Sequence, residues 1–274
     1  MGMARRFAIL AAFLAAAAAA AVPAVAGSGS DLKSLTTGDE SRGWEGVGRL
    51  NIGSRSFCTG SLIAENLVLT AGHCLYDHAT ASLARPDEIE FLAGWRGGRA
   101  AAYRGARRLV VHPGYIEDGA HRALDLALIE LDQPIRNGSI QPYETGKRAF
   151  LSREVGVVSY AHDRAETPSI QDTCHLLGRI EGTLVLDCDV DFGSSGAPVF
   201  DLSNDTPRII SVVSAKGEVG DQKVSLGTDL EVPLAEMLAL LGSGDGVFGQ
   251  IRAPAASVQR TEAVSASGAK FLRP

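Results

Sequence analysis

Residues Phe192-Gly193-Ser194-Ser195-Gly196-Ala197-Pro198-Val199 set two serines between glycines, with a proline and an apolar run directly after. Far upstream stands Leu69-Thr70-Ala71-Gly72-His73-Cys74, and between the two lies Asp125-Leu126-Ala127-Leu128-Ile129. A hydroxyl, an imidazole and a carboxylate in the chain order His, Asp, Ser are the parts of an activated nucleophile.

That order discriminates among folds. In an α/β-hydrolase the histidine follows the serine, but the histidines here are His73, His78, His112, His121, His162 and His175, all before Ser195. The G-x-S-x-G elbow also fails, because Ala197 holds its last glycine position. Subtilisin order needs the Asp before the His. His73, Asp125 and Ser195 are the combination in which each residue has informative surroundings.

The chain has 274 residues, 45% hydrophobic and 21% charged, within the range of ordinary globular proteins. A formal charge of −6 without any basic run argues against a nucleic-acid partner. Arg5 and Arg6, an alanine-rich stretch over 7–22 and Ala24-Val25-Ala26 read as a signal peptide over 1–26. As a membrane anchor the stretch is short and only weakly apolar, so no membrane association is expected after its removal. The expected location is secreted or periplasmic. There the four cysteines are expected in disulfides; of three connectivities, the spacing favours the local pairs Cys58/Cys74 and Cys174/Cys188. No C-x-x-C or paired histidine supports a metal site.

Residues 27–42 are small and polar and read as a flexible leader or a short propeptide, with Arg42-Gly43 as a candidate processing bond. Short apolar runs then recur at 47–52, 58–63, 67–70, 88–93, 107–111 and 126–131. A second group falls at 155–160, 175–180, 183–187, 198–200, 208–214 and 223–229. Turn residues separate them, the pattern of an all-β sandwich or barrel. The turn-rich stretch 133–145 divides the groups like a linker, giving β units over 43–135 and 136–242, with the candidate residues shared between them. One amphipathic helix is expected at 232–241, with Pro233 in its first turn. A flexible tail is expected over 243–274.

A serine hydroxyl needs a base of pKa near 7, and the base needs an acceptor on its other ring nitrogen. Asp125, opening an apolar run, suits that acceptor. Glycines beside Ser195 let the Gly193 and Ser195 N–H groups converge as an oxyanion hole. His78 and His121 read as loop residues, His112 beside Pro113-Gly114 as a turn residue, and Arg104, Arg107 and Arg108 as a solvated face. Asp187, Asp189 and Asp191 alternate, but Phe192 stands where a calcium loop needs glycine.

Thr70-Ala71-Gly72-His73-Cys74, Asp125-Leu126-Ala127-Leu128-Ile129 and Gly193-Ser194-Ser195-Gly196-Ala197-Pro198 resemble the three motifs of trypsin-like (chymotrypsin-fold) serine proteases. Cys58-Thr59-Gly60-Ser61-Leu62-Ile63 is similar to the family's strand before the histidine, and the resemblance implies the Cys58–Cys74 disulfide. The approach Cys188-Asp189-Val190-Asp191-Phe192-Gly193 looks closer to bacterial glutamyl-endopeptidase-like members. Over 44–241 the resemblance implies two six-stranded antiparallel β-barrels with a C-terminal α-helix. It also implies a monomer without cofactor or metal, acting on protein or peptide substrates.

Two departures bear on function. Ser194 stands where trypsins carry the aspartate that pairs with a new N-terminal amine, so that activation switch is not implied; Ala197 replaces a glycine. By analogy Asp189, Val190, Ser214 and Lys216 border the substrate pocket. Asp189 points to cleavage after Arg or Lys unless it is a solvated loop acid, and Lys216 is placed to neutralise it or narrow the entrance. Val213 stands where glutamate-specific relatives carry a histidine. The function implied is an exported serine endopeptidase; the alternatives are a catalytically incompetent binding protein and an esterase on the same fold.

Overall fold

The computed structural model describes residues 32–54, 56–117, 121–146, 154–204, 206–220 and 222–249. The signal-peptide reading and the tail from 250 onward lie outside them. The strands are β1 (Lys33–Ser34), β2 (Val47–Ile52), β3 (Ser56–Ala64), β4 (Leu67–Thr70), β5 (Tyr76–Asp77), β6 (Ser82–Leu83), β7 (Ile89–Ala93), β8 (Ala102–Val111) and β9 (Ala127–Leu131). The second half holds β10 (Glu144–Thr145), β11 (Glu154–Ser159), β12 (Ser169–Ile180), β13 (Thr183–Leu186), β14 (Pro198–Asp201), β15 (Arg208–Val219), β16 (Gln222–Asp229) and β17 (Val247–Phe248). Helix α1 is Pro113–Glu117 and α2 is Pro233–Ser243.

Two six-stranded antiparallel barrels result. Strands β8-β7-β2-β3-β4-β9 close through β8–β9, and β12-β11-β14-β15-β16-β13 close through β12–β13. Closure removes the exposed edges that short antiparallel strands would otherwise present.

Alternation along the strands explains why so many runs are apolar throughout. In β9, Ala127 and Ile129 face the core of the first barrel while Leu128 faces the packing between the barrels. In β15 a bulge, where Ile209 and Ser211 oppose the adjacent Phe200 and Val199, offsets the alternation, so Ile210 and Val213 pack in the core of the second barrel while Ile209 and Val212 pack in the cluster shared between the barrels. Successive side chains point to opposite faces, so a strand buried on both faces is apolar at every position. Phe200, Tyr160 and Leu128, all fully buried, lie in the shared cluster.

Several segments are more firmly built in than the composition implied. The flexible-leader expectation is corrected for 32–42. Strand β1 pairs with β12, Leu35 is buried in the shared cluster, and Glu40 Oε2 accepts from the Thr36 and Thr37 N–H groups at 2.9 Å. The stretch 133–145 is packed rather than loose: Ile135, Ile140 and Tyr143 are buried, and the Tyr143 hydroxyl donates to Gly43 O at 2.9 Å. The expected tail begins too early, since α2 runs to Ser243 and β17 pairs with β8.

Arg108 is not part of a solvated face. It is buried, donates to Glu130 Oε2 at 2.7 Å, and donates to the carbonyls of Leu241 and Asp245 beyond the first barrel. A buried guanidinium requires such partners, and these tie the end of α2 to β8. His112 is likewise buried rather than a free turn residue, bonded to Glu236 of α2 at 2.9 Å. These bonds hold α2, which follows the second barrel in the chain, against the first.

Because Leu35 is part of the shared core, Leu35→Ala is expected to lower unfolding stability by about 2–5 kcal/mol, the range for buried large-to-small changes. Thermal or denaturant unfolding of the two proteins measures this; an unchanged midpoint would show that the segment is dispensable to the fold.

Candidate active site

The residue before His73 sets the approach of the acid. A Cβ on Gly72 would come within 3.0 Å of the Tyr115 ring and 3.1 Å of Asp125 Oδ1. With glycine there, the carboxylate reaches His73 twice. His73 N–H donates to Asp125 Oδ1 at 2.8 Å, and His73 Nδ1 lies 2.7 Å from Asp125 Oδ2. The Cys58–Cys74 disulfide holds the short 3-10 turn carrying His73 against β3. Its sulfurs lie close to the His73 ring, but the S–S bond leaves no thiolates to hold a metal.

Asp125 is 2% exposed. Its third donor comes from the other barrel, where Ser214 Oγ–H reaches Oδ2 at 2.5 Å. Thr228 of β16 also crosses over, donating to the Arg122 carbonyl at 2.7 Å. Three donors satisfy a buried carboxylate that would otherwise be costly. A carboxylate only accepts, so the proton on the His73 ring is assigned to Nδ1 and Nε2 is left as the acceptor.

Ser195 is half-buried on the loop before β14, and its carbonyl accepts from Thr59 N–H at 2.9 Å. No hydrogen bond joins its hydroxyl to His73 among the described residues, a contact that in substrate-free sites is commonly long. Gly193 has φ +98°, and a Cβ there would overlap the Phe57 ring. The N–H groups of Gly193 and Ser195 donate to no protein acceptor among the described residues. Sequence reasoning missed the residues that hold this loop. They are Thr59, whose hydroxyl donates to Gly193 O at 2.9 Å, and His162, whose N–H donates to Phe192 O at 2.7 Å. Neither stands out in the sequence, because both contacts cross between segments distant in the chain. Ser194 is fully buried, with its hydroxyl 3.2 Å from Tyr160 O and 3.3 Å from Ser159 Oγ.

The pocket residues sort differently from expectation. Lys216 does not meet Asp189. Its ammonium donates to Asp191 Oδ1 at 2.7 Å and lies 4.2 Å from the centroid of the exposed Phe192 ring. The hydrogen bond to Lys216 holds the Asp191 carboxyl below the usual carboxylate range. Asp189 is exposed, and its backbone N–H donates to Gln171 Oε1 at 2.7 Å. Val190 and Val213 are buried together in the core of the second barrel, beside the Cys174–Cys188 disulfide.

Burial of His73 disfavours its imidazolium, but the hydrogen bond and charge of Asp125 outweigh it, and the net direction is upward from 6.5. The ring is therefore expected to titrate above 6.5. Asp125→Asn removes both raising contributions and leaves the burial, so the midpoint should fall. NMR titration of the His73 ring checks this, and an unmoved midpoint would refute the assigned coupling.

The trypsin family model matches residues 36–232. Lectizyme of Glossina austeni is 33% identical over 158 residues, covering 55% of this chain and 54% of that protein. A glutamyl endopeptidase of Bacillus licheniformis is 27% identical over 150 residues, covering 54% of this chain and 46% of that protein. The chain thus spans about half the length of the curated relatives it matches. Among solved structures, a Glu endopeptidase in complex with MPD superposes with a TM-score of 0.67 at 20% identity, over 78% of this chain and 98% of that one. The thermostable serine protease AL20 from an extremophilic microorganism gives 0.60 at 18% identity, over 73% and 98%. These likenesses carry the two-barrel fold, and the family match, which takes in all three motifs and the residues between them, makes this chain a member of the trypsin family.

Proposed function

We propose that the protein is an exported serine endopeptidase acting on protein or peptide substrates. The observation that carries this reading is the buried Asp125 carboxylate, which fixes the His73 ring with Nε2 free to accept a proton. Ser195 Oγ attacks the peptide carbonyl while His73 Nε2 takes its proton. The tetrahedral oxygen is held by the Gly193 and Ser195 N–H groups. His73 then gives its proton to the leaving amine as the C–N bond breaks, leaving an acyl-Ser195 ester that water hydrolyses in a second round of the same steps. Asp125 orients the ring and stabilises the imidazolium. The two disulfides support a destination outside the cytoplasm.

Asp189, Ser214 and Lys216 border the primary side-chain pocket in this reading, with Val190 buried in the second-barrel core rather than forming its wall. Lys216 is engaged by Asp191, and the Asp189 carboxylate pairs with no cation among the described residues. Asp189 is therefore left as the acid that favours a basic side chain before the scissile bond. Asp189→Asn should cut kcat/KM for an Arg peptide at least tenfold while an Ala peptide changes less than about threefold; equal effects on both would discard the assignment.

The decisive experiment treats the full chain with a serine-directed phosphonate and maps the adduct by peptide mass spectrometry. Labelling of Ser195 that disappears in His73→Ala is the expected result. Absence of labelling, together with no amide hydrolysis, would leave a catalytically incompetent binding protein. Turnover of simple esters without amides would make it an esterase.

A further inference from the structure

We infer that the Thr59 hydroxyl is a positioning residue for the oxyanion-binding loop, acting through the Gly193 carbonyl; the inference rests on the endopeptidase reading above. Thr59 is fully buried in β3, next to the disulfide-bonded Cys58. Every polar group it has is used. Its hydroxyl donates to Gly193 O at 2.9 Å and accepts from Tyr160 N–H at 3.1 Å. Its N–H donates to Ser195 O at 2.9 Å, and its carbonyl accepts from the Thr70 hydroxyl at 2.9 Å. One residue of the first barrel thus grips the loop of the second on both sides of Ser194.

The carbonyls of that loop are all accounted for. Phe192 O accepts from His162 N–H, Gly193 O from Thr59, Ser194 O from Ala197 N–H and Ser195 O from Thr59 N–H. The peptide bonds are trans, so each N–H points opposite to the carbonyl of its own unit. Gly193 N–H shares its unit with Phe192 O, held by His162, and Ser195 N–H shares its unit with Ser194 O, held by Ala197. Gly193 O belongs to the unit between them, whose N–H donates to Asp191 O, so the Thr59 bond holds the peptide that links the two unpartnered donors. Glycine resists rotation less than other residues, so the angle at Gly193 between this middle unit and the one carrying the Gly193 N–H depends on how the middle unit is held. The only bond from its carbonyl to a side chain among the described residues is the one from Thr59. Ser194 adds a second uncharged tie, through Tyr160 O and Ser159 Oγ.

Removing the hydroxyl while keeping the shape, as in Thr59→Val, leaves Gly193 O and Tyr160 N–H buried without that partner. The 193–194 peptide then has reason to turn toward other partners. The backbone bond from Thr59 N–H to Ser195 O survives, so the nucleophile itself stays in place.

Thr59→Val and Thr59→Ser are compared with the wild type in the full chain. The readouts are kcat and KM on a peptide amide, affinity for a peptide aldehyde that forms a tetrahedral adduct, and thermal midpoint. Thr59→Val is expected to lower kcat about 10- to 100-fold with KM within about threefold, and to weaken the aldehyde in parallel. Thr59→Ser restores the hydroxyl and should return kcat to within about threefold. If Thr59→Val does not fold, Thr59→Ala against Thr59→Ser gives the same contrast. A folded Thr59→Val with kcat within threefold of wild type, or a loss that Thr59→Ser shares, overturns the inference while leaving the endopeptidase reading intact. A wild type without turnover or Ser195 labelling defeats that reading, and this inference with it.

Discussion

A buried carboxylate needs donors, and Asp125 gets them from both barrels. His73 supplies two N–H groups from the turn after β4, and Ser214 supplies a hydroxyl from β15. Neither barrel alone satisfies the charge. An unpaired ionised carboxylate in such surroundings would be neutralised or would draw in water. Correct packing of the barrels and correct orientation of His73 are thus one requirement. The shared apolar cluster around Phe200, Tyr160 and Leu128 supplies the non-directional part of that packing.

The loop carrying Ser195 is held by a different kind of chemistry. Its supports are neutral hydrogen bonds from Thr59, His162 and the buried Ser194 hydroxyl, not an ion pair. Neutral partners carry a smaller desolvation cost than charges, so each can be fully buried without a compensating ion. A charged pair beside the loop, Lys216 with Asp191, lies at the half-exposed surface, where its strength falls with salt.

The ends of the described chain brace the same interface. The segment through Leu35 and Trp44 packs on the second barrel before the chain enters the first, with Trp44 edge-on to Phe200 at 5.1 Å. The segment after α2 returns to the first barrel through β17 and the Arg108 bonds to the Leu241 and Asp245 carbonyls. Each barrel is thereby fastened to the other by a strap from the opposite end of the sequence.

Much of this was legible in the residues themselves. Short apolar runs with turn residues between them marked most of the barrel strands, because a two-residue side-chain period and tight turns are local properties. The order His73, Asp125, Ser195 and the local pairing of the cysteines were likewise visible, since chain order and spacing are written directly in a sequence. What depends on distant segments meeting was not visible. The composition of 32–42 resembles a loose leader, yet one leucine finds a hydrophobic site formed by residues far along the chain. Lys216 could have met Asp189 or Asp191, and only the path of β15 past the loop chose Asp191. Thr59 looks like an ordinary strand residue, and its tie to Gly193, 134 positions away, exists because barrel packing excludes water and leaves each carbonyl the partner that folding brings to it.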